Sequence, residues 1–434
     1  MQKSFLLLGL IPLLFLVSCG SECEQSNTYS LYNPVHISFS ELRKSVISEP
    51  PRDITQPGKI YVYGDYLLVN EWLEGIHIFD NSNPVSPQKI GFVQVPGNID
   101  MAIKNDILYA DSYIDLVALD ISNPANVVEV ARIENALPNP VVREMVQSTA
   151  NVNFNFTQDD GVVTHFVEEE IVESVDCDAN VWQARPGIWL EDNRALSSFA
   201  ADGANLSFAP PTGNTETGTG GSMARFTLNS EFLYAVNEHA MQLFDITNER
   251  DPQKDQEIWI GWGIETIFPY GDLLFIGAQN GMHIFDNSNP ANPQQLSTYQ
   301  HINACDPVVV KGDLAYVTLR SGTECQGFAN QLDVVDISDL SNPSLLKTYP
   351  MDNPHGLGID GNNLFLCEGS FGLKQFDITD PMAIDQNLIE HFKNPHAFDV
   401  IPYKEVLILT GEDGIFQYSY ESGNLELLST LFIN

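Results

Sequence analysis

"GIHIFDNSNPVSPQ" (75–88) and "GMHIFDNSNPANPQ" (281–294) are nearly the same phrase, written twice in one chain of 434 residues. A catalytic site is assembled once per chain, whereas a phrase that recurs at a distance marks a structural unit that repeats. Further copies exist. Asp80, Asp120, Asp245, Asp286, Asp336 and Asp377 each end an apolar run and open a turn, as in "IHIFDNSNP", "LVALDISNP" and "LKQFDITDP". A seventh, degenerate copy reads "GIFQYSYES", with Ser419 at the aspartate position. About a dozen residues before each aspartate lies another short run, such as "YLLVN", "LLFIG" or "LAYVT". Runs this short, rich in β-branched and aromatic residues, read as strands.

The unit has a period of about forty residues and can be read whole as "NIDMAIKND", "ILYADSY", "LVALDI" and "VVEVARIEN". Four short antiparallel strands per unit is the signature of a propeller blade. Each aspartate then has a structural role. Asp followed by Ser or Thr and often Asn-Pro is turn chemistry, with the carboxylate accepting backbone N–H groups between the third and fourth strands. The expected fold is all-β: a β-propeller of seven blades, beginning near Gly58, Asn98, Ala224, Ile264, Cys305, His355 and Phe398. Closure is expected from packing of the first blade on the last, unless residues 28–57 add a strand. In that stretch Ser38 to Glu41 forms a capping box, which predicts a short helix lying on the propeller.

One interval is irregular. Asp120 and Asp245 stand 125 residues apart, where a single period needs about 40. Residues 136–222 fill the difference as an insertion between blades two and three. Within it "GVVTHFVEEEIVE" (161–173) suggests a hairpin and "PPTGNTETGTGGS" (210–222) a flexible loop. The propeller spans 58–434, preceded by a tether and lead over 19–57 and a targeting segment over 1–18.

The repeat resembles that of the LVIVD-repeat β-propeller proteins. The strand naming that family is closest here in "LDVVDIS" (332–338), with "LVALDIS" and "LFDIT" as looser copies. The resemblance runs from about Gly58 to Asn434 outside the insertion. It implies a propeller, frequently on a cell-surface lipoprotein, and little chemistry. Trp-Asp dipeptides, Gly-Gly pairs at blade spacing and repeated tryptophans, which mark other propeller classes, do not occur at blade spacing.

The N-terminus agrees with a surface lipoprotein. "MQKSFLLLGLIPLLFLVSCG" has one cation, Lys3, then an apolar run from Phe5 to Val17 that is too short for a comfortable span and suits a signal peptide. Leu16-Val17-Ser18-Cys19 resembles the bacterial lipobox, in which the matching cysteine, here Cys19, receives the lipid and becomes the new N-terminus. Gly20 follows at the position where an aspartate would signal retention in the inner membrane. The expectation is an outer-membrane lipoprotein of the cell envelope, surface-exposed and tied to the membrane through its lipid. That compartment permits disulfides, and Cys305 with Cys325 is the pairing to expect.

Composition excludes some partners. The formal charge is -38, with 43% of residues apolar and 10% aromatic. A surface this acidic excludes nucleic acid and anionic lipid surfaces, and leaves cations as natural small partners. Propellers set the first strand of each blade around a central channel, so the residues opening those strands are the candidate site: Asp100, Glu265, Asp306, His355, His396 and Asp399, beside Asn98. Blades six and seven share a phrase there, "NPHGLG" (353–358) and "NPHAFD" (394–399). Converging carboxylates could hold calcium through oxygens, and the imidazoles suit a softer divalent cation. Wet polar residues at a channel mouth also need no function.

Three functions follow as expectations. The first is a non-enzymatic platform for protein or glycan partners. The second is a metal-assisted hydrolase or lyase using the axial His and carboxylates on an extracellular polymer. The third is a structural envelope component. No motif of a known catalytic class occurs.

Overall fold

The computed structural model describes residues 24–142, 145, 161–176, 217–302, 307–322 and 329–433. Seven antiparallel sheets follow one another, each on a core of four strands in chain order. Blade 2 shows the pattern: Met101–Lys104, Ile107–Ser112, Asp115–Asp120 and Val128–Ile133. Its second strand is buried at every position, because a blade is covered on both faces by its neighbours and needs no polar alternation. The outer strand returns to half-exposed residues.

The first strands lie innermost: Pro57–Tyr63, Met101–Lys104, Phe226–Asn229, Ile264–Tyr270, Val308–Lys311, Leu357–Asp360 and Ala397–Tyr403. Each touches the inner strands of both neighbours, so the ring is closed. Apolar clusters straddle successive blades. Phe275 and Ile284 of blade 4 pack with Val308 and Val317 of blade 5, and Tyr316 and Leu332 of blade 5 with Leu364 and Phe376 of blade 6.

Closure uses more than packing. Ile60 and Val69 of blade 1 pack on Ile401, Ile408 and Ile415 of blade 7. Asn81 and Gln417 exchange two amide hydrogen bonds of 2.9 and 2.8 Å across the same seam. The lead contributes as well: Ile47–Glu49 adds a strand outside blade 1, and Ile54 bridges in parallel to Ile433 at the chain's last strand.

The two faces of the disc differ in construction. The turn face carries the tight turns between first and second strands and between third and fourth. The loop face carries the connections between blades and the links between second and third strands. The lead docks on the loop face. Ser38 caps the helix Phe39–Leu42 with both bonds of its box formed, and Leu42 is buried against Tyr113 and Val162. Arg43 reaches Asp115 at 3.2 Å and Glu134 at 2.8 Å.

The insertion departs from expectation twice. Residues 161–173 make no hairpin of their own. They belong to one long strand, Val162–Asp176, paired antiparallel with Glu24–Ile37 of the lead. A hairpin needs a turn at its centre, and the unbroken run "VEEEIVE" offers none. The expected flexible loop is also ordered from Thr217 onward. The signal segment with Cys19, the Cys305–Cys325 pair and Asp306 lie outside the described residues. Among the described residues no helix is long and apolar enough to cross a membrane.

Candidate functional site

The chain passes through its own channel. On the turn face Thr217 bridges to Lys104, and the Gly218 amide donates to the Ile103 carbonyl at 3.1 Å. Thr219 and Gly220 then pair with Val62 and Tyr61, adding a short strand inside blade 1's inner strand. At the loop-face end Gly221–Ala224 turn, with the Ala224 amide 3.1 Å from the Gly221 carbonyl, before Phe226 opens blade 3. Glycine is required for this close approach. A Cβ on Gly218 would stand 2.1 Å from the Tyr61 ring, and one on Gly221 would stand 2.0 Å from the Asp399 carboxylate.

Two expected ring residues hold this segment. Asp100 accepts the amides of Met101 at 2.7 Å, Arg225 at 2.5 Å and Phe226 at 3.3 Å. Asp399 accepts the Val400 amide at 2.9 Å and the Ser222 hydroxyl at 3.4 Å, while that hydroxyl accepts the Leu357 amide at 2.9 Å. Half-buried Lys59 donates to the Met223 carbonyl. Burial pulls its ammonium down, and the charges of Asp100, Asp399 and Glu265 oppose that pull. Burial raises Asp100 and pushes Asp399 up to about 6, with Lys59 countering both. The second Asp399 oxygen, Oδ2, is buried without a hydrogen-bond partner among the described residues.

Among the described ring residues, His355, His396 and Glu265 also make contacts of their own. His355 lies 8% exposed with Nε2 3.2 Å from the Asn353 amide, its ring 5.5 Å from Phe398. Burial first, then the charges of Arg320 and His396, lowers His355 to about 3. His396 packs on Phe398 at 5.6 Å and pairs with Glu412. Glu265 takes a 3.4 Å bond from Gln279. Asn98 is buried in an amide network, donating to Asp111 at 2.8 Å and accepting from Asn70 at 2.7 Å. Among the described residues no three His, Cys, Asp or Glu converge as a metal-holding group.

The repeated aspartates act as turn residues. Asp80, Asp120, Asp245, Asp286, Asp336 and Asp377 each accept the amide two residues on, at 2.8 to 3.0 Å. The degenerate copy does the same more weakly, the Glu421 amide reaching the Ser419 hydroxyl at 3.3 Å.

A feature missed from the sequence stands on the loop face. Trp259 ends the outer strand of blade 3 and Trp262 follows in the connection to blade 4, 61% and 68% exposed. Their rings meet edge-to-face at 5.9 Å, and His239 lies 4.2 Å from Trp262. Trp72 and Phe371 are exposed on the same face. The signal available was "IWIGWG" (258–263), two tryptophans around a glycine where no other repeat has one.

These sheets, their closed ring and the axial channel define a β-propeller. A profile described as the LVIVD repeat matches residues 57–95, 100–134, 266–301 and 303–350, which are blades 1, 2, 4 and 5. The chain is a seven-bladed β-propeller that carries LVIVD repeats in four of its blades. No curated protein matches it. Among solved structures, the computationally designed Ika8 protein is 9% identical, covering 87% of each chain with a TM-score of 0.49. The periplasmic gluconolactonase PpgL of Pseudomonas aeruginosa is 11% identical, over 86% of this chain and 97% of that one, at 0.49. BamB from Moraxella catarrhalis is 8% identical, over 82% and 81%, at 0.43. The function of each belongs to that protein.

Proposed function

We propose that this protein is a non-enzymatic binding platform, held at the outer membrane by lipid on Cys19, whose loop face receives protein or glycan partners. The observation that carries this reading is the occupied channel. Acid–base or metal chemistry at the axis needs carboxylates open to a substrate, and Asp100 and Asp399 instead accept amides and a hydroxyl from residues 222–226 and from their own strands. Exposure of large aromatics supports the choice of face. The described tryptophans, Trp72, Trp259 and Trp262, all lie there, and aromatic side chains are enriched at recognition surfaces.

Photo-crosslinking in intact cells tests the reading. A photoreactive residue placed at Trp72 or Phe371 on the loop face should give discrete crosslinked products, and one at Val85 or Met382 on the turn face should give none. Products from the turn face alone would overturn the proposal. So would a saturable calcium-induced rise in thermal midpoint that Asp100→Asn abolishes, which would return the axis to the hydrolase or lyase reading.

A further inference from the structure

The Trp259–Trp262 corner is held in place before any partner arrives. The amides of Ile260 and Gly261 both donate to the His239 carbonyl, at 2.9 and 3.1 Å, and the Ile264 amide donates to the Glu238 carbonyl at 3.1 Å. Gly263 takes a left-handed φ of +71°, with the Gln279 side chain packed where its Cβ would be. Ile260, Gly261 and Ile264, around two large indoles, are thus fixed by backbone bonds while the indoles remain open to water. Rigid display of this kind lowers the ordering cost of binding, and buried tryptophan is among the commonest binding hot spots.

The chemistry around the corner is acidic. The Glu238 carboxylate is 3.6 Å from His239 Nε2. Glu257 is exposed and lies two residues before Trp259, on the same side of the outer strand. The ring planes are 85° apart, so they offer no common plane for a flat sugar ring to span. Each exposed indole face does attract a cation laid over it. The formal charge of -38 steers cationic chains toward this protein and repels acidic ones.

We infer that the Trp259–Trp262 corner is a docking site for a basic peptide segment of a protein partner. One arginine or lysine side chain lies on an indole face with Glu238 and Glu257 matching the charge. The inference rests on the platform reading and names the chemistry of its partner.

Calorimetric titration of the chain with hexa-arginine tests it, with an uncharged Gly-Ser hexapeptide and chitohexaose as comparison ligands. Saturable hexa-arginine binding is expected, weakened at least about 10-fold by W259A/W262A and about 3-fold by E238Q/E257Q. Val85→Ala, on the turn face, should leave it unchanged. The double tryptophan variant should keep the wild-type thermal midpoint, since both side chains are exposed, and W259F/W262F should recover part of the affinity. Equal hexa-arginine binding by wild type and W259A/W262A would reduce the attraction to diffuse charge and overturn the inference. Tryptophan-dependent binding of chitohexaose in place of the peptide would overturn it too. Loop-face crosslinks that persist in W259A/W262A defeat this inference and leave the platform standing, whereas absence of loop-face crosslinks in the wild type defeats the platform itself.

Discussion

The turn face and the loop face are ends of the same strands, and they are built on opposite plans. On the turn face one device recurs: an aspartate, or once a serine, accepts the amide two residues on. On the loop face little recurs. One connection sets two tryptophans edge-to-face, another carries the insertion, and a third holds the edge of His355 against Phe398. Repetition serves the fold, because every blade needs its third and fourth strands joined in the same way. Irregularity is where a ring of similar blades becomes a particular molecule.

The channel segment belongs to the irregular side, and it gives the sharpest break in the comparison. Gly221→Val should destabilise the protein by about 3 kcal/mol, read from urea unfolding, because the new side chain enters space held by Asp399. Gly261→Val is the comparison, since nothing lies within 4 Å of an added Cβ there. Similar losses at both sites would mean that the segment is a loose occupant of the channel.

Asp399→Asn probes the same place through pH. In the folded protein its carboxyl titrates near 6, above the ordinary 3.8, so between those values the native state binds the extra proton. That group's contribution therefore falls as pH rises from about 4 to about 6 and is flat above. The asparagine variant should lack this slope and gain up to about 3 kcal/mol over wild type at pH 7. Taking the difference between the two proteins removes the opposite slope of His355, whose folded value is lowered to about 3. Identical pH profiles would show that Asp399 is solvated as an ordinary surface carboxylate.

The smallest effects belong to the turn face. Asp286→Ala should cost about 1 kcal/mol in thermal or urea unfolding, the usual worth of a side-chain acceptor for a turn amide. Ser419→Asp should add about 0.5 kcal/mol by converting the weak seventh copy to the common form. Loss of partner crosslinking in Asp286→Ala would blur the division between a face that folds and a face that binds.

Much of this was legible in the chain. Strand-Asp-turn phrases at a period of about forty predict seven blades and where their inner strands begin, and the Ser38–Glu41 box predicts the helix of the lead. Both rest on contacts between residues close in sequence, so local patterning carries them. Asp100 and Asp399 were also legible as axial residues, but not what they hold. "TGTGGS" reads as a linker because the glycines that allow close packing are those that allow flexibility, and only the ring's closure around Thr217–Arg225 decides between the two. The ribbon of 162–176 with 24–37 joins segments more than a hundred residues apart, beyond any local pattern. Likewise "IWIGWG" does not say whether its tryptophans point into a core or into water. That was settled by the His239 and Glu238 carbonyls, which pin the connection to the loop face and turn both indoles outward.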